Sequence, residues 1–213
     1  MAQTVFHGAD AATAQAVCVF VHGRAQSPEE MIETVLSRVD APGVHFALPR
    51  APREAWYDAR AVDPLTGQTR EQLEAALQQL HRTIATTRVT SPDVPLVVAG
   101  FSQGACLIAE YLLRGGAADA AVLLTGCRVG TTKDYPPVTA LSGLPVYASN
   151  SDDDPWIALD PWQQMVAELV RAGARLRCDI LPGRDHAVSQ DECTVFAGML
   201  AGLTRRQPFW QTA

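Results

Sequence analysis

Short apolar runs alternate with amphipathic stretches along most of the chain, and this alternation limits the possible folds more than any other feature. Several runs are apolar at consecutive positions, as the buried strands of a parallel sheet are. Strands are predicted at Ala16–His22, Val44–Leu48, Leu96–Phe101, Ala121–Thr125, Pro145–Asn150 and Arg175–Leu181, with a short edge strand at Val5–His7. Strand–helix alternation on this scale predicts an α/β fold with a mostly parallel central sheet and helices on both faces.

The helices between these strands are recognised by their N-terminal residues. Ser27-Pro28-Glu29-Glu30 combines a capping box with a proline at the first helical position. Further helices are predicted to begin at Thr69 with Gln72, at Asp160-Pro161 and at Ser189 with Glu192, and one to run from about Gln103 to Arg114. With 213 residues the chain has room for one such unit, so we expect a single domain over residues 1–213 without a large lid domain.

Charge and composition exclude several classes of function. Seventeen basic side chains against twenty-three acidic ones give a net charge of −6, so nucleic acid is not an expected partner. No apolar run approaches the roughly 18 residues of a membrane span, and the N-terminus lacks the basic segment of a signal peptide. The five cysteines are odd in number and lack the spacing of a zinc site, so we expect buried free thiols in a cytoplasmic protein.

One loop at the predicted carboxyl edge of the sheet holds Gly100-Phe101-Ser102-Gln103-Gly104. A G-x-S-x-G sequence is weak evidence alone, but here it joins an apolar strand to an apolar helix, which is the context that supports the motif. A nucleophilic serine needs a sharp turn that projects its oxygen above the sheet, and the flanking glycines allow the backbone to pass closely. Ser102 is therefore the predicted nucleophile, in preference to a serine that only caps a helix.

Serine needs a positioned base at neutral pH, usually a histidine. Of the five histidines, His186 lies between the last strand and the last helix and follows Ser102 in sequence, as the base does in sheets that carry this motif. The acid that orients the base is expected between them, where Asp152-Asp153-Asp154 follows a strand. Like charges raise each other's pKa, so one aspartate is expected to point inward, but spacing does not choose among the three.

Five pieces of the chain resemble the phospholipase/carboxylesterase branch of the α/β-hydrolases, which includes the acyl-protein thioesterases. They occur in the family's order and are VFVHGR (Val19–Arg24), LPRAPREAWYD (Leu48–Asp58), AGFSQGACLIAEYLLR (Ala99–Arg114), SDDDPWI (Ser151–Ile157) and LPGRDH (Leu181–His186). The resemblance implies the α/β-hydrolase fold. It also identifies the acid as Asp154, because the family's acid directly precedes a proline.

The resemblance further implies an oxyanion hole made by the backbone N–H groups of Arg24 and Gln103. The residues agree with this, because the loop after the first long strand is where a second donor belongs. Two positions depart from the family's pattern: Ala158 stands where proline is usual, and Asp185 stands where a small residue often precedes the histidine. Both bear on loop shape, and neither removes Ser102, Asp154 or His186.

These residues together predict a serine hydrolase of the carboxylesterase or thioesterase type that works through an acyl-enzyme and needs no metal or organic cofactor. The expected partner is a small-molecule ester or thioester, and the chain is expected to be a monomer or homodimer. One alternative is another reaction on the same residues, such as C–C bond hydrolysis or perhydrolysis. A second is a binding protein that keeps the fold without the chemistry.

Two groups of side chains are candidates for substrate contact. Trp56 and Tyr57 follow a strand and Trp156 adjoins Asp154, and each of these aromatics either lines the acyl pocket or packs in the interior. Arginines recur in the loops expected above the sheet, at Arg24, Arg50, Arg53, Arg128 and Arg184. We hypothesise that they form a cationic rim, with Arg50, Arg53 and Arg128 favouring an anionic substrate. The alternative is that nearby aspartates neutralise them as exposed pairs.

Overall fold

The apolar runs pair into one sheet. The computed structural model describes residues 3–60, 62–205, 207 and 209. Its strands are β1 Thr4–Gly8, β2 Ala16–Val21, β3 Val44–Pro49, β4 Leu96–Phe101, β5 Ala120–Leu124, β6 Pro145–Ser151 and β7 Arg175–Leu181. In this described part of the chain they form a seven-stranded sheet in the order β1-β3-β2-β4-β5-β6-β7. Among the described strands only the β1–β3 pair is antiparallel, so the predicted mostly parallel sheet is confirmed.

Four of the described α-helices connect successive strands, and the fifth follows the last strand. They are α1 Pro28–Thr34, α2 Gly67–Thr90, α3 Gln103–Leu113, α4 Leu159–Arg171 and α5 Gln190–Thr204, with a short 3-10 helix at Leu36–Arg38. Ser189 forms the predicted capping box with Glu192. At α1 only half of the predicted capping box is present: Ser27 accepts a hydrogen bond from the Glu30 N–H, but the Glu30 carboxylate accepts from Gln26 Nε2.

Two predicted helix starts are wrong. Helix α2 begins earlier, because Thr66 is its N-cap and Thr69 is the third helical residue, and the two threonines bond reciprocally at 3.2 and 2.8 Å. The pair that marks the start of this helix is Thr66 with Thr69, and not Thr69 with Gln72. Helix α4 begins at Leu159 without a side-chain cap. Asp160 therefore lies within the first turn, where its negative charge interacts favourably with the helix dipole.

The sheet separates two apolar layers. Helices α2, α3 and α4 cover one face, and α1 and α5 cover the other. Side chains of β2 alternate between the layers, with Val17, Val19 and Val21 on the first side and Cys18 and Phe20 on the second. All 11 residues of α3 are buried, since this helix lies directly against the centre of the sheet. Ser102 therefore stands on the most enclosed strand–helix pair.

The edge strand β7 is less buried than the central strands. Because it has one neighbour in the described sheet, Cys178 on it is exposed, whereas the other four cysteines are buried free thiols as expected. Ile180 is likewise 45% exposed. No helix in the described ranges is both long enough and apolar enough to cross a membrane.

Candidate active site

Ser102 lies at a sharp turn between β4 and α3. Its φ of 55° and ψ of −121° are strained for a residue with a side chain, and its N–H donates to Leu124 O at 2.9 Å. The flanking glycines make this turn possible. A Cβ atom on Gly100 would lie 2.5 Å from the Gly104 carbonyl carbon, and one on Gly104 would lie 2.0 Å from Val21 O. The motif's spacing therefore follows from direct backbone contact around the serine.

Gly104→Ala should lower the free energy of unfolding by about 3 kcal/mol or more, because overpacking costs about 1 to 3 kcal/mol even where neighbours can move. Here the nearest atoms are backbone atoms of β2. Gly198→Ala in α5 is the matched control, since a Cβ there meets no atom within 4 Å and should raise stability by about 0.5 to 1 kcal/mol. Urea unfolding measures both changes. Equal stability of the two variants would show that α3 can move away from β2.

His186 and Asp154 complete a hydrogen-bonded series with Ser102. His186 Nε2 lies 2.9 Å from Ser102 Oγ, and His186 Nδ1 lies 2.8 Å from Asp154 Oδ2 and 3.0 Å from Oδ1. A carboxylate only accepts, so Nδ1 carries the proton and Nε2 is the acceptor for the serine hydroxyl. The Phe101 ring, 5.0 Å from the imidazole between centroids, packs against the base.

The three consecutive aspartates have different positions. Asp154 is buried and accepts from the Trp156 and Ile157 N–H groups at 2.9 and 2.8 Å, while Asp152 accepts from the Gly183 N–H at 2.7 Å and Asp153 is exposed. Burial alone would raise the pKa of Asp154, but the hydrogen bonds from His186 and from the two backbone groups outweigh it, and the pKa is lowered. Asp154 is thus held ionised beside the imidazole.

The backbone N–H groups of Arg24 and Gln103 lie close to Ser102 and are candidates for an oxyanion hole. Gly23 approaches the serine so closely that an added Cβ would lie 3.1 Å from Ser102 Cβ, which places the next residue, Arg24, beside the site. Within the described ranges, neither the Arg24 N–H nor the Gln103 N–H donates to another residue. The Gln103 N–H also belongs to the first turn of α3, where helix donors are directed at negative charge.

Buried side chains next to the site hold the loop after β2 and the loop after β3 in place. Gln103 Oε1 accepts from the Trp56 N–H at 2.9 Å, and Gln103 Nε2 donates to Tyr57 O at 2.8 Å. Trp56 Nε1 donates to His22 O at 2.8 Å. Burial lowers the pKa of His22, whose neutral ring donates from Nδ1 to Gly23 O and accepts at Nε2 from the Ala51 N–H. Sequence reasoning missed this role of His22; its position directly before Gly23 was the available signal.

The three candidate aromatics differ in exposure. Trp56 and Tyr57 are buried, at 2% and 1% exposure, and support the loop rather than line an open mouth. Trp156 is 66% exposed, and its ring lies 6.5 Å from the His186 ring in an edge-on arrangement. Of the three, Trp156 alone combines an exposed ring with a position beside His186.

The predicted arginine rim is largely absent. Arg128 is fully buried, bonds Glu110 and Glu168, and lies 4.3 Å from the Tyr135 ring centroid, so its prediction as a rim residue is wrong. Its partners come from α3 and α4 and explain the burial, because two carboxylates stabilise the charge in the interior. Arg50 pairs with Glu29 at 2.5 Å.

The other rim arginines also have protein partners. Arg53 pairs loosely with Asp58 at 3.6 Å. Arg24 Nη2 donates to three successive carbonyl oxygens, those of Tyr57, Asp58 and Ala59. These contacts favour the alternative that the arginines are neutralised or support loops. In the part of the chain that the structure describes, no group of three or more His, Cys, Asp or Glu side chains is placed to hold a metal ion.

Comparison with known proteins gives the same architecture. The sequence profile of the phospholipase/carboxylesterase family matches residues 8–201, and no curated protein sequence matches the chain. A phospholipase/carboxylesterase structure from Dyadobacter fermentans DSM 18053 has a TM-score of 0.84 at 24% identity, covering 94% of this chain and 97% of that one. The Bacillus cereus carboxylesterase has a TM-score of 0.75 at 18% identity, covering 95% of each chain.

A structure of YahD with malic acid has a TM-score of 0.76 at 17% identity, covering 95% of this chain and 100% of that one. At these identities the structural likenesses establish the fold. The sheet, its helices and these neighbours together show the α/β-hydrolase fold.

Proposed function

The chain belongs to the phospholipase/carboxylesterase family of hydrolases, and from this premise we propose that it cleaves a carboxylic ester or thioester through Ser102, His186 and Asp154. The observation that carries the proposal is the hydrogen-bonded series from Ser102 Oγ through both imidazole nitrogens to the buried Asp154 carboxylate. A nucleophile, a base within 2.9 Å and a group that orients the base are the requirements for acyl transfer.

The reaction follows from the proton positions. Ser102 Oγ attacks the acyl carbonyl carbon while its proton moves to His186 Nε2, and the carbonyl π electrons move onto oxygen. The Arg24 and Gln103 N–H groups donate to that oxyanion, and Asp154 stabilises the imidazolium. His186 then protonates the leaving alcohol or thiol as the bond to it breaks. Water enters, His186 removes its proton, and the same steps release the acid and restore Ser102.

The acidic limb of the pH profile should contain one ionisation. The base must be neutral to accept a proton, so kcat/KM should fall as the pH is lowered and the base becomes protonated. The lowered pKa of Asp154 keeps that carboxylate charged while the base is protonated, so log kcat/KM should fall with a slope of one. Initial rates from pH 4.5 to 9 on a substrate limited by chemistry measure this. A flat profile would contradict a histidine base.

Substrate preference is a finer part of the proposal. Trp156, exposed beside His186, offers an apolar surface for an acyl or alcohol group. An anionic substrate remains the second possibility, supported by Arg24, whose guanidinium contacts carbonyl oxygens and no described carboxylate, and by the malic acid in the YahD structure. The two possibilities differ in whether an added negative charge on the substrate raises kcat/KM.

A substrate panel tests the proposed function. It comprises p-nitrophenyl esters and acyl thioesters of increasing chain length, with an anionic ester and its neutral isostere at low and high salt. Hydrolysis by the wild type and not by Ser102→Ala supports the proposal. Product analysis that finds C–C cleavage or peracid formation instead would favour another reaction on the same residues, and inactivity on every substrate would favour a binding protein.

A further inference from the structure

The loop that carries His186 is held by a guanidinium group from within the loop. Arg184 lies two residues before His186, and its side chain is only 9% exposed. Its Nη1 donates to the carbonyl oxygens of Asp185, at 2.6 Å, and of Ala187. These are the residues on either side of His186. The side chain that the sequence suggested for the rim is therefore turned inward and bonds the backbone around the base.

The same guanidinium is tied to the buried interior. Arg184 Nη2 donates to Thr125 Oγ1 at 2.6 Å, and Nε lies 3.5 Å from Glu192 Oε2. Thr125 and Glu192 are both fully buried. Glu192 is itself fixed, because it accepts from Ser149 Oγ at 2.5 Å and from the Ser189 N–H at 2.7 Å. The His186 loop is thus joined to the carboxyl end of the sheet and to the start of α5.

The backbone next to Thr125 also contacts the nucleophile. Thr125 directly follows Leu124, whose carbonyl oxygen accepts from the Ser102 N–H at 2.9 Å. The Arg184–Thr125 bond therefore connects the backbone segment that positions the serine with the loop that positions the base. In the described ranges this is the only side-chain hydrogen bond between these two segments, and the Ser102–His186 contact links the nucleophile itself to the base.

The rest of the loop gives His186 little support. Pro182, Gly183, Asp185 and Ala187 are exposed. In the described part of the chain, side chains from elsewhere bond the loop backbone only near its ends, where Asp152 accepts from the Gly183 N–H and Arg38 Nη2 donates to Val188 O at 2.8 Å. Between these points, Arg184 provides the side-chain bonds to the loop backbone.

We propose that Arg184 is a positioning residue that sets the distance between His186 Nε2 and Ser102 Oγ for the hydrolysis. This inference rests on the proposed function. A planar guanidinium bonds several acceptors at fixed angles, whereas a lysine ammonium places one point charge on a flexible stem. A displacement of about 1 Å in a catalytic group can lower the rate by about 10²-fold, so the loss of these bonds acts on kcat.

Arg184→Met and Arg184→Lys test the proposal. Both should lower kcat by about 10- to 100-fold and leave KM within about threefold, because the bonds act on the base rather than on the substrate. The rate at which a fluorophosphonate probe labels Ser102 should fall by the same factor. Arg184→Lys keeps a positive charge near Glu192, so the melting temperature should recover part of the loss seen for Arg184→Met while kcat stays low.

Arg114→Met is the matched control. Arg114 pairs with the fully buried Glu110 at 2.9 Å, as Arg184 pairs with the fully buried Glu192, but it caps the end of α3 remote from Ser102. This variant should lose stability and keep the wild-type kcat. Equal kcat losses in Arg114→Met and Arg184→Met would assign the effect to stability and overturn the proposal.

Thr125→Val and Thr125→Ser extend the test if Arg184→Met does not fold. Valine removes the hydroxyl that Arg184 bonds and keeps the side-chain shape, so kcat should fall several-fold, and serine should restore it. If the wild type is labelled at Ser102 and the folded Arg184 or Thr125→Val variants keep kcat within twofold, the positioning role is wrong and the proposed function stands. If the wild type is neither labelled nor active, the proposed function fails.

Discussion

Ser102→Ala and His186→Ala should each lower kcat by about 10⁶-fold, and the double variant should be no worse than either single one. The reason is geometric: His186 Nε2 is 2.9 Å from Ser102 Oγ, so removing either partner leaves no activated nucleophile. KM should change little, because Ser102 and His186 act on the reacting atoms in the transition state. Steady-state kinetics on a p-nitrophenyl ester measure the loss.

Ser37→Ala and His7→Ala are the controls for these variants. Both residues are exposed and lie outside the site, so their kcat values should match the wild type. Circular dichroism should show that all four variants keep the fold. More than about one percent residual activity in Ser102→Ala, at a purity that excludes contamination, would show that another group is the nucleophile.

Asp154→Asn should lower kcat by about 10⁴-fold with little change in structure. An amide replaces one carboxylate oxygen by a donor, so the imidazole loses its negative partner and its Nδ1–H tautomer is no longer favoured. The Trp156 and Ile157 N–H groups both bond Asp154 Oδ1, and an amide oxygen there keeps those bonds. The variant should therefore fold normally, which separates catalysis from stability.

The two aspartates before Asp154 serve as controls for Asp154→Asn. Asp153 is exposed, and Asp152 accepts from the Gly183 N–H through one oxygen, which an amide oxygen replaces. Asp153→Asn should match the wild type, and Asp152→Asn should stay within a few-fold of it. A severe loss in either, with an active Asp154→Asn, would reassign the acid.

The sequence predicts much of the fold and part of the site because local signals coincide there. Buried strands read as apolar runs, and the G-x-S-x-G spacing reflects contacts among Gly100, Gly104 and β2 that only glycine permits. The residues alone do not identify the acid, because the three consecutive aspartates have nearly the same neighbours in sequence. Only the family resemblance chose Asp154, and the contact with His186 is consistent with that choice.

The arginines show what local reasoning misses. Arginine is usually exposed, so loop arginines were expected on the rim, but Arg128 and Arg184 are turned inward. Arg128 pairs with Glu110, 18 residues earlier in α3, and Arg184 lies beside Glu192 in the first turn of the next helix, α5. One signal was present: Glu110 is the single charge within the apolar stretch ACLIAEYLL, where an unpaired carboxylate would be too costly to bury.

Site-specific labelling tests the central claim, that Ser102 is a nucleophile activated by His186, most directly. Wild-type protein treated with a fluorophosphonate should gain the mass of one adduct, and peptide mapping should place it on Ser102. Ser102→Ala should gain none, and His186→Ala should react far more slowly. Labelling of a different residue, or an unlabelled wild type that still hydrolyses esters, would contradict the account.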